Sequence, residues 1–306
     1  MNHATPSDAE STSRVGSAHT SRTALVLGGG GSTGNAWLIG VVAGLLDGGL
    51  DVVGADLTIG TSAGATATAQ LAGAPATDLF AATTAAVIPP RTDAGGSGRG
   101  PVASPSASEH MQRVRDVIAS SEDAADFRRR MGALALEADA ASDGGATSRW
   151  RAIVAARLPA RDWPERRIFL TAVDARTGES VVFDRHSGVD LVDAVAASTA
   201  GGGFAYQVGD RSYIDGGYRT NADNADLAAG CERVLVLAPL GGVWWTPPEW
   251  GTQLAKQVDD LRADGSRVET VFPDVDSQHL FGARAMDHSL RPAAARAGFD
   301  QGSALA

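Results

Sequence analysis

An α/β fold, with a central and mostly parallel sheet flanked by helices, is predicted by three features of this 306-residue chain. Short apolar runs alternate with helical stretches along most of its length, as strand–helix–strand units require. Those runs are nearly continuous in apolar residues, which is the pattern of strands covered on both faces. The first two stop at glycine-bearing turns that lead straight into small-residue helices. Length alone is compatible with one large domain or two small ones. The unbroken alternation favours one domain over 23–306, after a polar leader at 1–22 that reads as disordered.

The first strand is "TALVL", beginning at Thr23, and an apolar helix follows over 34–46, ended by Asp47, Gly48 and Gly49. "ADLTIG" is a second buried strand running directly into "TSAGATATAQLAG", a helix small enough to pack closely on a sheet. That helix stops at Gly73, with Pro75 just beyond. The character then changes over about 87–163, a variable, lid-like insertion. It opens with a Gly/Pro/Ser-rich loop and continues as charged helix carrying Arg128, Arg129 and Arg130. Those arginines face either solvent or an anionic lipid or substrate. "RRIFLTAVDARTGESVVFD" reads as a hairpin turning at "ARTG". "DLVDAVAASTAGGGFAYQV" reads as a helix broken at Gly201 to Gly203. "RSYIDGGY" is a short strand meeting a tight turn, and "RVLVLAPL" is another buried strand. A helix around Thr252 to Arg262, the strand "RVETVFPD" and an Ala/Arg-rich helix complete the chain.

Composition narrows the function. A net charge of −10 argues against a nucleic-acid partner, which needs phosphate-neutralising surface. The single cysteine, Cys231, excludes a disulfide framework and any multi-cysteine metal site. The N-terminus lacks an apolar signal core, and the longest apolar stretch, Asn35 to Leu46, is too short to span a bilayer. The expectation is a cytoplasmic protein, with transient contact to a membrane surface as an option. Trp244, Trp245 and Trp250 would either dip into a lipid interface or pack on their own domain.

Three motifs carry the chemistry. "GTSAG" has the form G-x-S-x-G and sits between a strand and a helix, where a sharp turn lifts Ser62 out of the sheet. Gly60 and Gly64 keep that turn free of steric conflict. "YIDGGY" places Asp215 at a strand end before Gly216 and Gly217, so a carboxylate near Ser62 could act directly as a general base. The opening "GGGGSTG" exposes backbone N–H groups at a helix start, suited to an oxyanion. Its Gly29, Gly31 and Gly34 also match a dinucleotide fingerprint. That fingerprint needs an acid closing the second strand, whereas Asp51 and Asp56 both precede it.

In this order, "GGGGSTG", "GTSAG" and "DGG" resemble the patatin-like phospholipases, serine acyl hydrolases with a Ser–Asp dyad. The resemblance runs from about Leu25 to Leu240, without 87–163. It implies a modified α/β-hydrolase fold with Ser62 as nucleophile, Asp215 as base and Gly29, Gly30 and Gly31 as the oxyanion hole. Gly34, Gly60, Gly64, Gly216 and Gly217 would support these motifs. The implied substrate is a lipid or other ester, and no metal or organic cofactor is required. Thr33 stands where that glycine loop usually carries Arg or Lys, which leaves neutral esters and thioesters as substrates beside phospholipids. "STAGGGF" stands where a proline usually precedes the aspartate's strand. Two other readings stay open: a serine esterase with His279 or His288 as base, and a nucleotide-binding module without chemistry.

Overall fold

The computed structural model of the chain describes residues 22–85, 107–201, 203–243 and 246–306. The leader, most of the Gly/Pro/Ser-rich loop, Trp244 and Trp245 lie outside these residues. Among them run eight strands: β1 Thr23–Leu27, β2 Leu57–Gly60, β3 Ile168–Asp174, β4 Ser180–Phe183, β5 Tyr206–Val208, β6 Arg211–Asp215, β7 Arg233–Leu237 and β8 Arg267–Val271. Nine α-helices accompany them: α1 Gly31–Asp47, α2 Ala63–Gly73, α3 Ala76–Ala85, α4 Ala107–Ser120, α5 Ala124–Ala140, α6 Ala146–Arg157, α7 Leu191–Ser198, α8 Leu254–Ala263 and α9 Arg291–Leu305.

The sheet is mixed and mostly parallel, in the order β5-β6-β3-β2-β1-β7-β8, with β4 paired to β3. β1 lies parallel to β2 and β7, β2 is parallel to β3, and β7 is parallel to β8. Strand alternation divides β1 between two layers. Leu25 and Leu27 face α1 and α9, in a cluster with Trp37, Val41 and Ala295. Ala24 and Val26 face the other way and pack with Val258 and Leu261 of α8. The result is helix–sheet–helix layering with β1 at its centre.

The antiparallel part of the sheet has an unusual register. Leu170 of β3 pairs with Phe183 of β4 and also with Gly60 of β2, so β4 and β2 occupy opposite edges of β3. Ala172 pairs with Val181 of β4 and with Asp215 of β6, which puts β6 on the same edge as β2. β2 and β6 therefore lie end to end along one edge of β3. Their C-termini, Gly60 and Asp215, point at each other across Thr171.

Two boundaries differ from the sequence reading. α1 starts at Gly31, three residues before the expected Gly34, because the glycine loop itself supplies the first helical turn. "YQV", beyond the glycines at which the sequence breaks the helix, forms β5, an edge strand held by β6. Pairing with β6, remote from local propensity, decided that segment.

α1 and α9 pack backbone against backbone. A Cβ at Gly40 would lie 2.1 Å from the Ala295 carbonyl, and one at Gly44 would lie 2.1 Å from that of Phe299. On the facing helix, a Cβ at Gly298 would lie 2.4 Å from the Trp37 carbonyl, and one at Gly302 2.3 Å from that of Val41. Two glycines four apart on each helix thus form a smooth, interlocked seam. Gly44→Ala forces the helices apart and is expected to destabilise the protein by about 2–3 kcal/mol. Gly54→Ala, whose Cβ would make ordinary contact at 3.6 Å, is the control and should stay within about 0.5 kcal/mol. Chemical denaturation of both variants checks the pair.

Candidate functional site

The end-to-end strands bring Ser62 and Asp215 together. Ser62 follows β2 by two residues, and Asp215 is the last residue of β6. The Ser62 Oγ donates a hydrogen bond to Asp215 Oδ2 at 2.7 Å. The other carboxylate oxygen accepts from the Gly217 N–H, also at 2.7 Å. Burial pushes the Asp215 carboxyl up to about 6, against the two hydrogen bonds that favour its ionised form.

Ser62 caps α2 with φ 53° and ψ −112°, a strained conformation for a residue with a side chain. The turn is held from several sides. The Ser62 N–H donates to Ser198 Oγ at 3.0 Å. Gly64 lies against β1, where a Cβ would come within 1.8 Å of the Leu27 carbonyl. Gly60 crosses α2 so closely that a Cβ would meet Ala65 Cα at 2.7 Å. Gly216 is pressed on Thr171 in the same way, its Cβ position 2.3 Å from the Thr171 carbonyl. Among the described residues, four that are not glycine have positive φ: Ser62, Asn221, Ala222 and Asn224. All four belong to this site, consistent with strain collecting where geometry is over-determined.

Asn224 had no distinguishing signal in the sequence, yet it is the central brace. Fully buried and in the left-handed region, it donates through Nδ2 to Thr61 Oγ1 at 2.8 Å and Thr171 Oγ1 at 3.2 Å, and to the Gly216 carbonyl at 3.1 Å. One side chain thereby ties the ends of β2 and β6 to the middle of β3. Its Oδ1 accepts from Arg219 Nη1 and Thr220 Oγ1, and Arg219 is held in turn by Asp226. Ser198, equally silent in the sequence, anchors the other side of the serine.

The glycine loop runs beside Ser62, since a Cβ at Gly29 would lie 3.6 Å from Ser62 Cβ. The Gly29 N–H donates to the Ala222 carbonyl at 2.8 Å, so it is occupied. Gly30 precedes α1 and Gly31 begins it with φ +65°. Helix starts leave their first N–H groups without intrahelical acceptors, which applies to Gly31 and to Ala63 at the start of α2. Gly34 packs on Pro239 and donates its N–H to the Gly30 carbonyl. The Thr33 side chain is buried away from the cavity beside the loop.

That cavity measures about 1250 Å³ and contains Ser62, Asp215 and Gly29 to Gly31 in its wall. Val114, Ile118, Phe127, Phe204, Leu240 and Phe281 contribute apolar surface, and α4 and α5 of the insertion form part of its rim. Such a volume accommodates a long-chain ligand. Arg128, Arg129 and Arg130 are not among its lining residues: Arg128 donates to the Gly178 carbonyl, and the other two pair with Asp126. Trp250 packs near Phe127, with ring centroids 6.0 Å apart.

His288 lines the same cavity as Ser62, whereas His279 does not. His279 Nδ1 meets the carbonyl of Asp276 in its own turn, and His288 Nδ1 meets Ser32 Oγ at 2.9 Å. Neither reaches Ser62 by a hydrogen bond. Asp51 and Asp56, the acids a dinucleotide would need, sit at the opposite end of the strands from the glycine loop. Asp56 accepts from Thr23 N, and Asp51 from Val53 and Gly54.

Two stability predictions follow from the braces. Asn224→Ala removes the side-chain bonds to Thr61, Thr171 and the Gly216 carbonyl and is expected to lower stability by about 2–4 kcal/mol, read from urea denaturation. Asp223, next to it and buried, has an Oδ1 without a partner, and burial pushes its carboxyl up to about 7. Because the folded value exceeds the unfolded 3.8, the unfolded chain ionises first as pH rises. The contribution of Asp223 is thus intact below about pH 4 and is lost up to about pH 7, by as much as about 4 kcal/mol. Asp223→Asn should remove this component, so the variant's stability advantage should grow between pH 4 and pH 8.

Comparison with known proteins fits the order of these motifs. The family model for patatin-like phospholipase matches residues 25–228, well over half of the chain and inclusive of Ser62 and Asp215. Curated protein sequences yield no match. Among solved structures, VipD from Legionella pneumophila aligns at 12% identity and a TM-score of 0.32, over 64% of this chain and 46% of VipD. This chain thus spans less than half the length of VipD. On the extent of the family match, the chain belongs to the patatin-like phospholipase family.

Proposed function

We propose that the protein is a lipid acyl hydrolase that cleaves carboxylic esters through a Ser62 acyl-enzyme, with Asp215 as general base. The observation that carries this reading is the 2.7 Å hydrogen bond from a strained serine just past a strand end to a half-buried carboxylate in the wall of a large cavity. Asp215 Oδ2 takes the Ser62 proton as Oγ attacks the ester carbonyl. The resulting oxyanion is held by the N–H groups of Gly30 and Gly31, with that of Ala63 following the nucleophile. Gly29 acts instead as the tether that fixes the loop on Ala222. Collapse of the intermediate expels the alcohol, which takes the proton back from Asp215, and leaves the acyl group on Ser62. Asp215 then deprotonates a water that attacks the acyl-enzyme. Collapse of this second intermediate returns the proton to Ser62 Oγ and releases a carboxylic acid. The family match supports lipid acyl hydrolysis as the reaction class.

An aspartate at its ordinary pKa is a weak partner for a serine hydroxyl, and burial narrows that gap. The ester substrate occupies the cavity that Ser62 and Asp215 line. Among the described residues, no helix is long and apolar enough to cross a membrane.

Ser62→Ala and Asp215→Asn should each reduce turnover of a chromogenic short-chain ester by at least about a thousandfold while the circular dichroism spectrum is retained. His279→Ala and His288→Ala should leave turnover of that ester within about threefold; a loss equal to that of Asp215→Asn would return the histidine base to consideration. Since the base must be ionised, kcat/KM should rise with pH, reach half its plateau near pH 6 and be flat above about pH 7. A fluorophosphonate probe should modify Ser62 alone, as read by peptide mapping; modification at another serine would refute the assignment.

A further inference from the structure

A further set of hydrogen bonds reaches Asp215 from the insertion, separate from those of Asn224 and Ser198. Gly201 lies directly against the Asp215 carboxyl: a Cβ there would come within 2.9 Å of Oδ2 and 3.5 Å of Cγ. Oδ2 is the oxygen that accepts from the Ser62 hydroxyl. The Gly201 backbone thus helps to shield from water the atom that must take the proton. The residue before it is tied down as well, since the Ala200 carbonyl accepts from the Asp215 N–H at 3.2 Å.

Tyr218 holds Gly201 from the other side. It ends the short 3₁₀ turn Gly216–Tyr218 that follows Asp215, and its hydroxyl donates to the Gly201 carbonyl at 3.4 Å. His110 of α4 brings Nε2 to 3.1 Å from the same hydroxyl. The single phenolic proton can serve only one of these neighbours. If it went to His110, the buried Nδ1, which has no partner among the described residues, would be left as a stranded N–H. Given to Gly201, it leaves Nδ1 as an unused acceptor, and the chain runs from His110 Nε2–H through Tyr218 O–H to the Gly201 carbonyl. Burial and the Arg113 charge lower the pKa of the His110 imidazole, and burial with the nearby Asp215 carboxylate raises that of the Tyr218 phenol. Both side chains are therefore neutral at neutral pH, as this chain of donors requires.

The insertion holds this chain at two points. Besides His110 on α4, Phe127 of α5 meets the Tyr218 ring edge-on, with centroids 6.0 Å apart. Both helices pack in one apolar cluster with Ile214 of β6, the residue before Asp215. The other charged groups on the elements around this corner are engaged elsewhere. Arg128 on α5 donates to the Gly178 carbonyl, Asp193 on α7 pairs with Arg151, and Arg219 pairs with Asp226.

We infer that His110 and Tyr218 are positioning residues for the general base: they hold the Gly201 backbone on Asp215 Oδ2, so that docking of the insertion and exclusion of water from the carboxylate occur together. Calling Asp215 a base rests on the acyl-hydrolase reading, and naming what covers it deepens that reading. Without these two bonds Gly201 is free to lift, and water reaches Oδ2. The carboxylate is then easier to ionise and weaker as a base. The insertion thus sets the strength of the base as well as lining the cavity.

The pH profile of kcat/KM for a chromogenic short-chain ester, measured in Tyr218→Phe and His110→Leu beside the native chain, tests this role. Tyr218→Phe removes one oxygen and keeps the ring against Phe127. In both variants the pH of half-maximal kcat/KM should fall from about 6 by about one unit, and the plateau should fall about three- to tenfold. His110→Gln, whose side-chain N–H can replace that of the imidazole, should return the midpoint toward its native position. A merely structural role would lower the plateau or the stability without moving the midpoint. An unmoved midpoint in both variants, with turnover intact in the native chain, would overturn the inference and leave the hydrolase reading standing. A shift in Tyr218→Phe with none in His110→Leu would overturn the part assigned to the insertion. No ester turnover by the native chain would refute the hydrolase reading instead. The Asp215 carboxyl is in that case titrated directly by carbon NMR, its signal assigned against Asp215→Asn. A midpoint that falls in Tyr218→Phe and His110→Leu supports the positioning role, and one that stays in place refutes it.

Discussion

The site depends on two strands that share one edge of a third. β2 runs parallel to β3 and stops opposite Leu170; β6 arrives antiparallel and stops opposite Ala172. Only Thr171 separates their ends, so whatever follows β2 must meet whatever ends β6. Chain continuity cannot achieve this, because Ser62 and Asp215 are 153 residues apart. The sheet register does. A slip of one residue in either pairing would turn the side chains of that strand to the opposite face. The 2.7 Å contact between serine and aspartate is therefore a consequence of register before it is one of side-chain choice.

Such a junction leaves strand ends without ladder partners, and those groups are buried. Asn224 satisfies the Gly216 carbonyl and Ser198 the Ser62 N–H, while the Thr61 and Thr171 hydroxyls bond each other and Asn224 Nδ2. A polar network of this kind is stabilising only when complete, because each orphaned member would face the low-dielectric interior. The contacts around Ser62 explain how its strain persists. The serine is fixed at its N–H by Ser198, at its Oγ by Asp215 and at the next turn by close packing of Gly64 on β1. Relaxing φ 53° would break several of these contacts together.

Much of this was legible in the sequence, and the remainder divides by physical cause. β1, β2, the β3–β4 hairpin, β6, β7 and β8 announced themselves as short apolar runs with turn residues at their ends. Ser62 and Asp215 stood out because strand–turn contexts with flanking glycines are local features. β5 escaped because "AYQV" becomes a strand only through its pairing with β6. Asn224 and Ser198 escaped because their importance lies in contacts made across more than a hundred residues. Gly29, Gly30 and Gly31 looked equivalent as a run, yet the carbonyl of Ala222 distinguishes the first from the other two. A glycine string shows that N–H groups can be exposed; it does not show which of them already have acceptors.

The C-terminal helix shows how packing and chemistry are joined in this chain. α9 lies beyond the residues matched by the family model, yet its seam with α1 is the closest helix contact around the glycine loop. α1 begins at Gly31, inside that loop, so the seam reaches the site along the axis of α1 itself. Its glycines permit backbones to approach within a distance that any Cβ would forbid, and this sets α9 at one depth and rotation. At that depth Arg291, the first residue of the helix, meets the carbonyl of Ser32 and the side chain of Asn35. A larger residue at Gly298 or Gly302 would lift the helix and draw the guanidinium away from the loop. The position of this charge in the cavity wall is thus governed by the smoothness of a helix seam extending away from it.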